Sequence, residues 1–361
     1  MTYSPSAGGE MRNDDEITAK FDRSELVRGY PAIEAGPPTC SVTVRVGVKT
    51  DLGCVRENNE DKAEYYEPER PDLLAGRGCV YIVADGMGGH AAGQIASEMA
   101  IKTFMASYYG SGEADIETAL KAAAAEANAQ VFGASTAVQA RAGMGTTLTA
   151  LTLVDGRAYV TQIGDSRAYL MRNGTIRQVT EDHSWVGEQI RLGQMTEAEA
   201  ECSPYRNIIT RCIGNQPAVE ADVYATDIRR DDRWVLCSDG LTGHVQADEI
   251  RAIASSECPS EACRQLVQLA CSRGGRDNVT VLIAQLLDVE RTAAPMEAPA
   301  EAADAAPAEV ASRAAKPPQA WKGLLGLRLW ETISGTLRMR TTRRGGASWR
   351  SGCGTSPRAA D

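Results

Sequence analysis

Acidic residues recur in five short segments, each placed where a run of β-forming residues begins or ends. The segments are TDLGCVRENNED (50–61), VADGMGGH (83–90), IGDSRAYL (163–170), LCSDGL (236–241) and GGRDNVTV (274–281). An Asp–Gly pair alone usually marks a turn, so one segment by itself carries little information. Carboxylates gathered at the ends of buried strands repel one another, and hard divalent cations compensate for that repulsion. We therefore expect a cation site built from Asp61, Asp85, Asp165, Asp239 and Asp277.

The ligands that this site offers are oxygen atoms. Besides the carboxylates, the glycines after Asp85 let the backbone approach a ligand closely, so the Gly86 carbonyl can serve as a further oxygen ligand. An all-oxygen set suits Mg²⁺ or Mn²⁺ rather than Zn²⁺.

Strands are predicted in antiparallel runs, with helices in blocks between them. VTVRVGV from Val42 alternates as a strand does, and CVYIVA (79–84) is apolar throughout, as in a buried strand. Asp155–Gly156 and Asn173–Gly174 each separate two β-rich runs and predict hairpins. Further predicted elements are helices over 91–108, 113–140 and two within 246–274, short helices within 183–222, and strands over 233–238 and 278–286. This order favours an α+β fold with two sheets packed face to face and helix pairs outside.

Composition excludes several classes of protein. The chain has 361 residues, 43% hydrophobic and 24% charged, which is typical of a globular protein. No apolar run approaches the roughly 20 residues needed to cross a bilayer, and the N-terminus lacks the pattern of a secretory signal, so we expect a cytoplasmic location. The ten cysteines have no C-x-x-C pair. We therefore expect reduced thiols rather than disulfides or structural zinc.

The net charge of −10 is unevenly distributed. From Lys316 onward, nine Lys or Arg residues stand against two acidic residues, which gives this end +7 and leaves −17 for the rest. An acidic body disfavours nucleic-acid binding, which draws on basic patches, and favours a site that concentrates divalent cations.

Four regions are predicted along the chain. Residues 1–40 form a polar arm expected to be disordered, and residues 41–290 form the folded domain. Residues 291–320 are an Ala/Pro-rich linker. Residues 321–361 form a basic amphipathic tail, which either contacts an anionic membrane surface or a partner, or is an extension without function.

Six motifs, in order, give the sequence a specific resemblance. NNED, DGMGGH, GTT, GDSRAYL, SDGL and RDNVTV resemble those of the metal-dependent protein phosphatases of type 2C (the PPM family) in their bacterial form, from about Val42 to Leu287. The resemblance implies a four-layer α/β/β/α sandwich of two antiparallel sheets flanked by helix pairs. It also implies a two-metal centre at one end of the sandwich.

The resemblance assigns a role to each candidate residue. It implies that Asp85 bridges two Mn²⁺ or Mg²⁺ ions, that the Gly86 carbonyl binds the first ion, and that Asp239 and Asp277 bind the second. Two further roles follow in the same way. Asp61 belongs to the same carboxylate cluster, and Asp165 joins Asp239 in a weaker third-metal site.

The implied reaction is hydrolysis of phosphoserine and phosphothreonine in proteins. A hydroxide that bridges the two ions attacks phosphorus in line, and Arg56 holds the phosphate, which suits its bidentate guanidinium. The expected substrates are phosphoproteins, including a bacterial Ser/Thr kinase whose activity the enzyme opposes. We expect a monomer that does not bind nucleic acid.

The proton donor to the leaving group is a separate question. Eukaryotic relatives keep a His directly after the DG pair, where this chain has Met87, but His90 ends the same motif. His90 either protonates the leaving group or orients a metal-bound water, or it is a packed structural residue. Residues 183–215 resemble the variable flap beside the metal centre, where substrates are selected.

Two alternatives compete with this interpretation. Cys258 and Arg264 have the C-x(5)-R spacing of cysteine-based phosphatases, but the intervening PSEAC has no glycines to wrap a phosphate. A pseudophosphatase that acts as a binding module is disfavoured because Arg56 and the metal-site aspartates are all present.

Overall fold

The computed structural model describes residues 40–88 and 91–291. Within these ranges, two antiparallel sheets of five strands form the centre of the fold. Sheet A consists, in spatial order, of β1 (Cys40–Asp51), β12 (Val279–Arg291), β11 (Arg233–Cys237), β8 (Arg167–Arg172) and β9 (Thr175–Gln178). Sheet B consists of β10 (Asp222–Asp227), β7 (Arg157–Ile163), β6 (Leu148–Val154), β3 (Cys79–Ala84) and β2 (Lys62–Tyr66). A small ribbon pairs β4 (Gly86–Met87) with β5 (Gly145–Thr146).

Helices occupy the connections between strands and cover the two outer faces. Those in the described ranges are α1 (Pro71–Arg77), α2 (Ala91–Gly110), α3 (Ile116–Ala137), α4 (Trp185–Arg191), α5 (Glu197–Glu201), α6 (Asp239–Thr242), α7 (Ala247–Ser256) and α8 (Pro259–Ser272). Asp115 begins α3 by accepting a hydrogen bond from the Thr118 amide, and Pro259 is the first helical residue of α8.

Three apolar layers hold four structural layers together. The helix pair α2 and α3 packs on the outer face of sheet B, around Phe104 and Leu120. The inner faces of the two sheets meet around Tyr81 and Trp234, which are both fully buried. The pair α7 and α8 packs on the outer face of sheet A, where Leu266 is fully buried. This arrangement confirms the predicted four-layer sandwich, since each sheet buries both of its faces.

Both predicted hairpins are present. Asp155 and Gly156 have φ values of 50° and 72°, and Asn173 and Gly174 have 52° and 75°. Two successive positive φ values match the right-handed twist of the strands on either side of a two-residue loop, and Asp, Asn and Gly tolerate this conformation best. The predicted loops therefore connect β6 to β7 and β8 to β9.

Several elements differ from the sequence prediction, among them the helix α1 (Pro71–Arg77), which was not predicted. The first strand begins at Cys40, two residues before the alternation becomes clear at Val42. Two strands, β2 and β10, were not predicted. Both are edge strands of sheet B, half-exposed along much of their length, so neither shows the apolar pattern of a buried strand.

Several predictions lie outside the described residues. They concern the arm before residue 40, the linker and tail after residue 291, and His90. In the ranges that the structure covers, no helix combines the length and apolar character needed to cross a membrane.

Candidate active site

One edge of sheet A collects three of the candidate aspartates. β11 ends at Cys237 opposite the first residue of β8, so Asp239 and Asp165 lie just beyond the same edge. β12 starts there as well, opposite the last residue of β1, which places Asp277 two residues outside the sheet. The antiparallel register thus brings together residues that are far apart in the sequence.

Sheet B delivers the other two aspartates to the same end of the sandwich. β3 ends at Ala84 opposite the first residue of β2, so Asp85 and Asp61 flank this pair. The chain then passes from β7 in sheet B to β8 in sheet A through residues 164–166, and Asp165 lies in this crossing. The adjoining edges of the two sheets therefore share all five aspartates.

The five aspartates influence one another electrostatically. Burial raises the pKa of Asp85 well above its usual range, and the charges of Asp61, Asp239, Asp165 and Asp277 raise it further. Burial also raises the pKa of Asp61 to about 7, although a hydrogen bond from Ser238 opposes the shift. A buried carboxylate with carboxylate neighbours favours its neutral form unless a cation compensates for the charge.

The two remaining buried aspartates show the same effect. Burial raises the pKa of Asp239, with a further contribution from Asp277, and a hydrogen bond with Asp85 acts in the opposite direction. Burial raises the pKa of Asp165, and Asp239 adds to the shift. The cluster is therefore continuous from Asp61 to Asp165 through Asp85 and Asp239.

Polar side chains hold the carboxylate-bearing backbone in place. The Asp85 amide donates to Thr147 Oγ1 at 2.8 Å, and the Asp85 carbonyl accepts from the Thr147 amide at 2.8 Å and from Thr146 Oγ1 at 2.9 Å. Ser238 Oγ donates to Asp61 Oδ2 at 2.7 Å and accepts from the backbone of β12. The hydroxyl groups of the GTT and SDGL motifs thus have a role of their own, which is to hold the segments that carry the carboxylates.

The backbone at Gly86 is closely packed against neighbouring segments of the site. A Cβ added here would lie 2.2 Å from the carbonyl oxygen of Gly93 and 2.6 Å from that of Glu60. Both distances are far below contact, so no side chain fits. The residue therefore places its backbone, rather than a side chain, beside Asp85.

Arg56 lies at the rim of the cluster. Its Nη2 donates to Asp277 Oδ2 at 2.7 Å, and the two side chains are 51% and 35% exposed. The hydrogen bond to Asp277 raises the pKa of Arg56, and the charges of Glu60 and Asp85 act in the same direction. An exposed guanidinium at the rim of a carboxylate cluster is positioned to meet an incoming anion.

The donor set fits hard divalent cations. Among the residues that the structure describes, no three His, Cys, Asp or Glu side chains are gathered tightly enough to form a preassembled metal site. The buried cluster nevertheless consists of carboxylates together with the Gly86 backbone, and such oxygen donors are those that Mg²⁺ and Mn²⁺ prefer. The pKa values of Asp61 and Asp85 are raised, so a cation bound beside them would compensate for the repulsion among the carboxylates.

Asn278 is a site residue that the sequence reasoning missed. It is 4% exposed, its Oδ1 accepts from the Glu60 amide at 2.8 Å, and its Nδ2 donates to the carbonyls of Leu52 and Asn58 at 3.0 Å each. One side chain thus fixes the loop that carries Arg56. Its place directly after Asp277, in the RDNVTV motif, was the available signal.

The predicted flap begins at a buried histidine. His183 Nδ1 accepts from the Gly164 amide at 3.1 Å, and Nε2 lies 2.9 Å from Asp222 Oδ2. Burial lowers the pKa of His183, which favours the neutral ring that these contacts require. His183 therefore anchors the flap next to the crossing that carries Asp165.

A cavity of about 320 Å³ borders the flap. Glu188, Arg211, Cys212 and Gln216 are among its lining residues. Burial raises the pKa of the Cys212 thiol, and the charge of Asp165 adds to the shift, so this wall of the cavity adjoins the carboxylate cluster. The flap is thus placed where it can contact a molecule bound at the site.

The cysteine-based alternative has no structural support. Cys258 immediately precedes α8, and Arg264 is on the exposed surface of that helix, where it pairs with Glu261. The segment between them is helical, so its backbone amides are not arranged as a loop around an anion.

Met87 is in the β4–β5 ribbon, opposite Gly145.

Comparisons with known proteins agree with the fold. The family model for protein phosphatase 2C matches residues 70–273. The serine/threonine phosphatase stp of Listeria welshimeri is 37% identical over 242 residues, which cover 66% of this chain and 94% of that protein. The protein phosphatase PhpP of Streptococcus pneumoniae is 37% identical over 249 residues, covering 67% of this chain and 98% of the relative.

Solved structures show the same relationship. The crystal structure of the serine/threonine phosphatase PstP/Ppp of Mycobacterium tuberculosis has a TM-score of 0.60 at 35% identity and covers 68% of this chain and 99% of its own. A structure of the PstP catalytic domain in complex with two manganese ions has a TM-score of 0.60 at 34% identity, with coverage of 69% and 100%. The five aspartates at the adjoining ends of the two sheets form what we call the acidic edge. The sandwich with this acidic edge is that of a metal-dependent protein phosphatase, and the chain belongs to the type 2C (PPM) family. It is a bacterial-type serine/threonine protein phosphatase.

Proposed function

We propose that the chain hydrolyses phosphoserine and phosphothreonine esters of proteins at the acidic edge, with two divalent cations bound by the aspartate cluster. The observation that carries this proposal is the clustering of aspartates at one end of the sandwich. There the charges of Asp61, Asp239, Asp165 and Asp277 all raise the pKa of Asp85. The manganese ions in the related PstP structure support the choice of cation.

Each ligand has a proposed place. Asp85 and the Gly86 carbonyl hold the first cation, and Asp85, Asp239 and Asp277 hold the second. Asp61 contributes directly or through a water, and Asp165 with Asp239 forms a weaker third site. When bound, such cations would polarise the phosphoryl oxygens and would make a water nucleophilic near neutral pH.

Arg56 binds the substrate phosphate in this proposal. Its guanidinium already forms a hydrogen bond with Asp277 Oδ2, so it must exchange this carboxylate for phosphoryl oxygens when the substrate arrives. Asp277 would then be held by a cation rather than by Arg56, and Arg56 would pair with the phosphate. Each charged group would thus keep an ionic partner, which lowers the cost of the exchange.

Two parts of the proposal concern residues outside the described ranges. His90 is the proposed proton donor to the Ser or Thr leaving group, because it ends the DGMGGH motif that carries Asp85. The basic tail over 321–361 is proposed to contact an anionic membrane surface or a partner protein. Pelleting with anionic liposomes, compared with a chain ending at Glu290, tests the membrane contact. Equal pelleting of the two chains would contradict it.

The biological setting that we propose is the cytoplasm, where the enzyme opposes a Ser/Thr kinase. The related proteins are named as protein phosphatases, which supports an activity that reverses protein phosphorylation. Phosphoproteins, among them the kinase itself, are the proposed substrates.

A metal titration of wild-type protein and Asp239→Asn tests the proposal. Wild type is expected to cleave a phosphothreonine peptide with Mn²⁺ and to lose this activity in EDTA. Loss of a residue that merely supports a metal ligand costs 10–100-fold, so we expect Asp239→Asn to lower kcat/KM by at least about 100-fold. Asp248→Asn, at an exposed position on α7, is the control.

Thermal unfolding without metal separates loss of function from loss of fold. Asp239 is a buried carboxylate beside other carboxylates, so its replacement by a neutral amide is expected to keep the Tm or raise it. Undiminished activity of Asp239→Asn would refute the site assignment. Wild-type protein that binds the phosphopeptide but never cleaves it would instead support a binding module.

A further inference from the structure

Two cysteines lie against each other beside the acidic edge. Cys54 follows β1 in the loop that carries Arg56, and Cys271 is in the last turn of α8. Cys54 Sγ donates to the Cys271 carbonyl at 3.5 Å. The Cys54 sulfur therefore lies against the backbone of Cys271, although 217 positions separate the two residues in the sequence.

The backbone keeps this pair together. The Cys54 amide donates to the Gly275 carbonyl at 2.7 Å, which joins the loop to the turn after α8. Gly275 has a φ of +44°, and a Cβ added there would lie 3.1 Å from both Cys54 Sγ and the Cys271 Cα. Glycine at this position thus leaves room for the Cys54 sulfur beside the backbone of Cys271.

The two thiols differ in access, and burial disfavours ionisation of the Cys271 thiol. Cys54 is exposed, whereas Cys271 is half-buried with its sulfur 3.7 Å from Asp51 Oδ1. Burial raises the pKa of the Cys271 thiol to about 11, and Asp51 adds to the shift. Because the thiolate is the reactive form and Cys271 stays protonated, an oxidant reaches and oxidises Cys54 first.

We propose that Cys54 and Cys271 form an oxidation site that closes to an intramolecular disulfide when the protein meets hydrogen peroxide. Cys54 sulfur attacks one peroxide oxygen and breaks the O–O bond, which gives a sulfenic acid and one water. Cys271 sulfur then attacks Cys54 sulfur, and the sulfenic hydroxyl leaves with the thiol proton as a second water. The two thiols lose two electrons in total, and peroxide gains them.

The disulfide would join the two segments that carry Arg56 and Asp277. Arg56 follows Cys54 by two residues, and Asp277 follows Gly275 by two residues. Oxidation would therefore fix the backbone on both sides of the Arg56–Asp277 ion pair.

Peptide mapping tests this proposal without an activity assay. The full-length protein is treated with a few equivalents of hydrogen peroxide, alkylated and digested with trypsin. Cys54 falls in TDLGCVR (50–56) and Cys271 in QLVQLACSR (265–273), so each peptide contains one cysteine. We expect these two peptides to be joined in wild type and to separate after reduction.

Three variants sharpen the result. Cys54→Ser is expected to leave Cys271 free for alkylation after peroxide, and Cys271→Ser is expected to accumulate a sulfenic acid at Cys54. Cys202→Ser removes another exposed cysteine and is expected to keep the joined peptide. The proposal is overturned if both wild-type peptides remain fully alkylated after peroxide. Oxidation of Cys54 to a sulfinic acid without any joined peptide would overturn it as well.

Discussion

The side chain of Asn278 holds the loop that carries Arg56 at three points. Its amide forms hydrogen bonds with the backbone of Glu60, Leu52 and Asn58. Asn278→Ala removes all three bonds and leaves a buried amide and two carbonyls without this partner. The loop remains connected through the Cys54 amide, so the fold should survive the change.

The cost follows from the number of bonds. A net contribution of about 1 kcal/mol for each hydrogen bond predicts a loss of about 3 kcal/mol. For a domain of this size, each kcal/mol lowers the Tm by about 2–4 °C, so the variant should melt about 6–12 °C below wild type. A displaced Arg56 should also lower kcat/KM about 10- to 100-fold, since catalysis is sensitive to shifts of an ångström.

Asn128→Ala is a matched control for this prediction. Asn128 is 1% exposed, its Oδ1 accepts from the Gly214 amide at 2.9 Å, and its Nδ2 donates to the Gln216 carbonyl at 3.0 Å. Two lost bonds predict a loss of about 2 kcal/mol without a comparable loss of kcat/KM. Thermal unfolding and phosphopeptide kinetics are measured on both variants. The reasoning would be refuted if Asn278→Ala lowered the Tm by less than about 2 °C. It would also be refuted if the two variants lost kcat/KM to the same extent.

Two further predictions concern ionisable groups outside the aspartate cluster. Arg172 makes two hydrogen bonds of 2.7 Å to Asp232, whose side chain is 1% exposed, so Arg172→Met should destabilise the protein by about 3–5 kcal/mol in urea unfolding. Arg251→Met, which breaks an exposed pair, should change it by less than about 0.5 kcal/mol, and similar losses would contradict the argument. Burial lowers the pKa of His183 despite its hydrogen bond to Asp222, so the unfolded state binds the proton more readily. The stability due to the neutral ring should be complete above pH about 6.5 and decline below it. The Tm difference between wild type and His183→Gln measures this stability. A difference that stays constant down to about pH 5.5 would contradict the prediction.

Local chemistry explains what the sequence could predict. Asp155–Gly156 and Asn173–Gly174 determine their own turns, because positive φ values are a property of those residues. The aspartates after β3 and β11 were visible because apolar runs ended at them. The α+β class followed from the order of these runs, and the structure confirms it.

Long-range pairing explains what the sequence could not predict. β8 pairs with β11 although more than 60 residues separate the paired positions, and the sequence of neither strand indicates which strand it pairs with. The edge strand β10 alternates only weakly, because both of its faces are partly exposed. Asn278 reveals its role only through contacts with residues about 220 positions away. The metal-ligand roles of the aspartates remain predictions for the titration above.

The pairing of β1 with β12 also determines when this protein can finish folding. Cys40 and Arg291 are register partners, and β12 lies between β1 and β11 in sheet A. At a synthesis rate of about 5–20 residues per second, β1 emerges roughly 10–50 s before the strand that pairs with it. Such a fold has a high contact order, and within the described residues β1 lacks its partner until β12 has been made. Until then, the free hydrogen-bonding groups of β1 could pair with a strand of another chain.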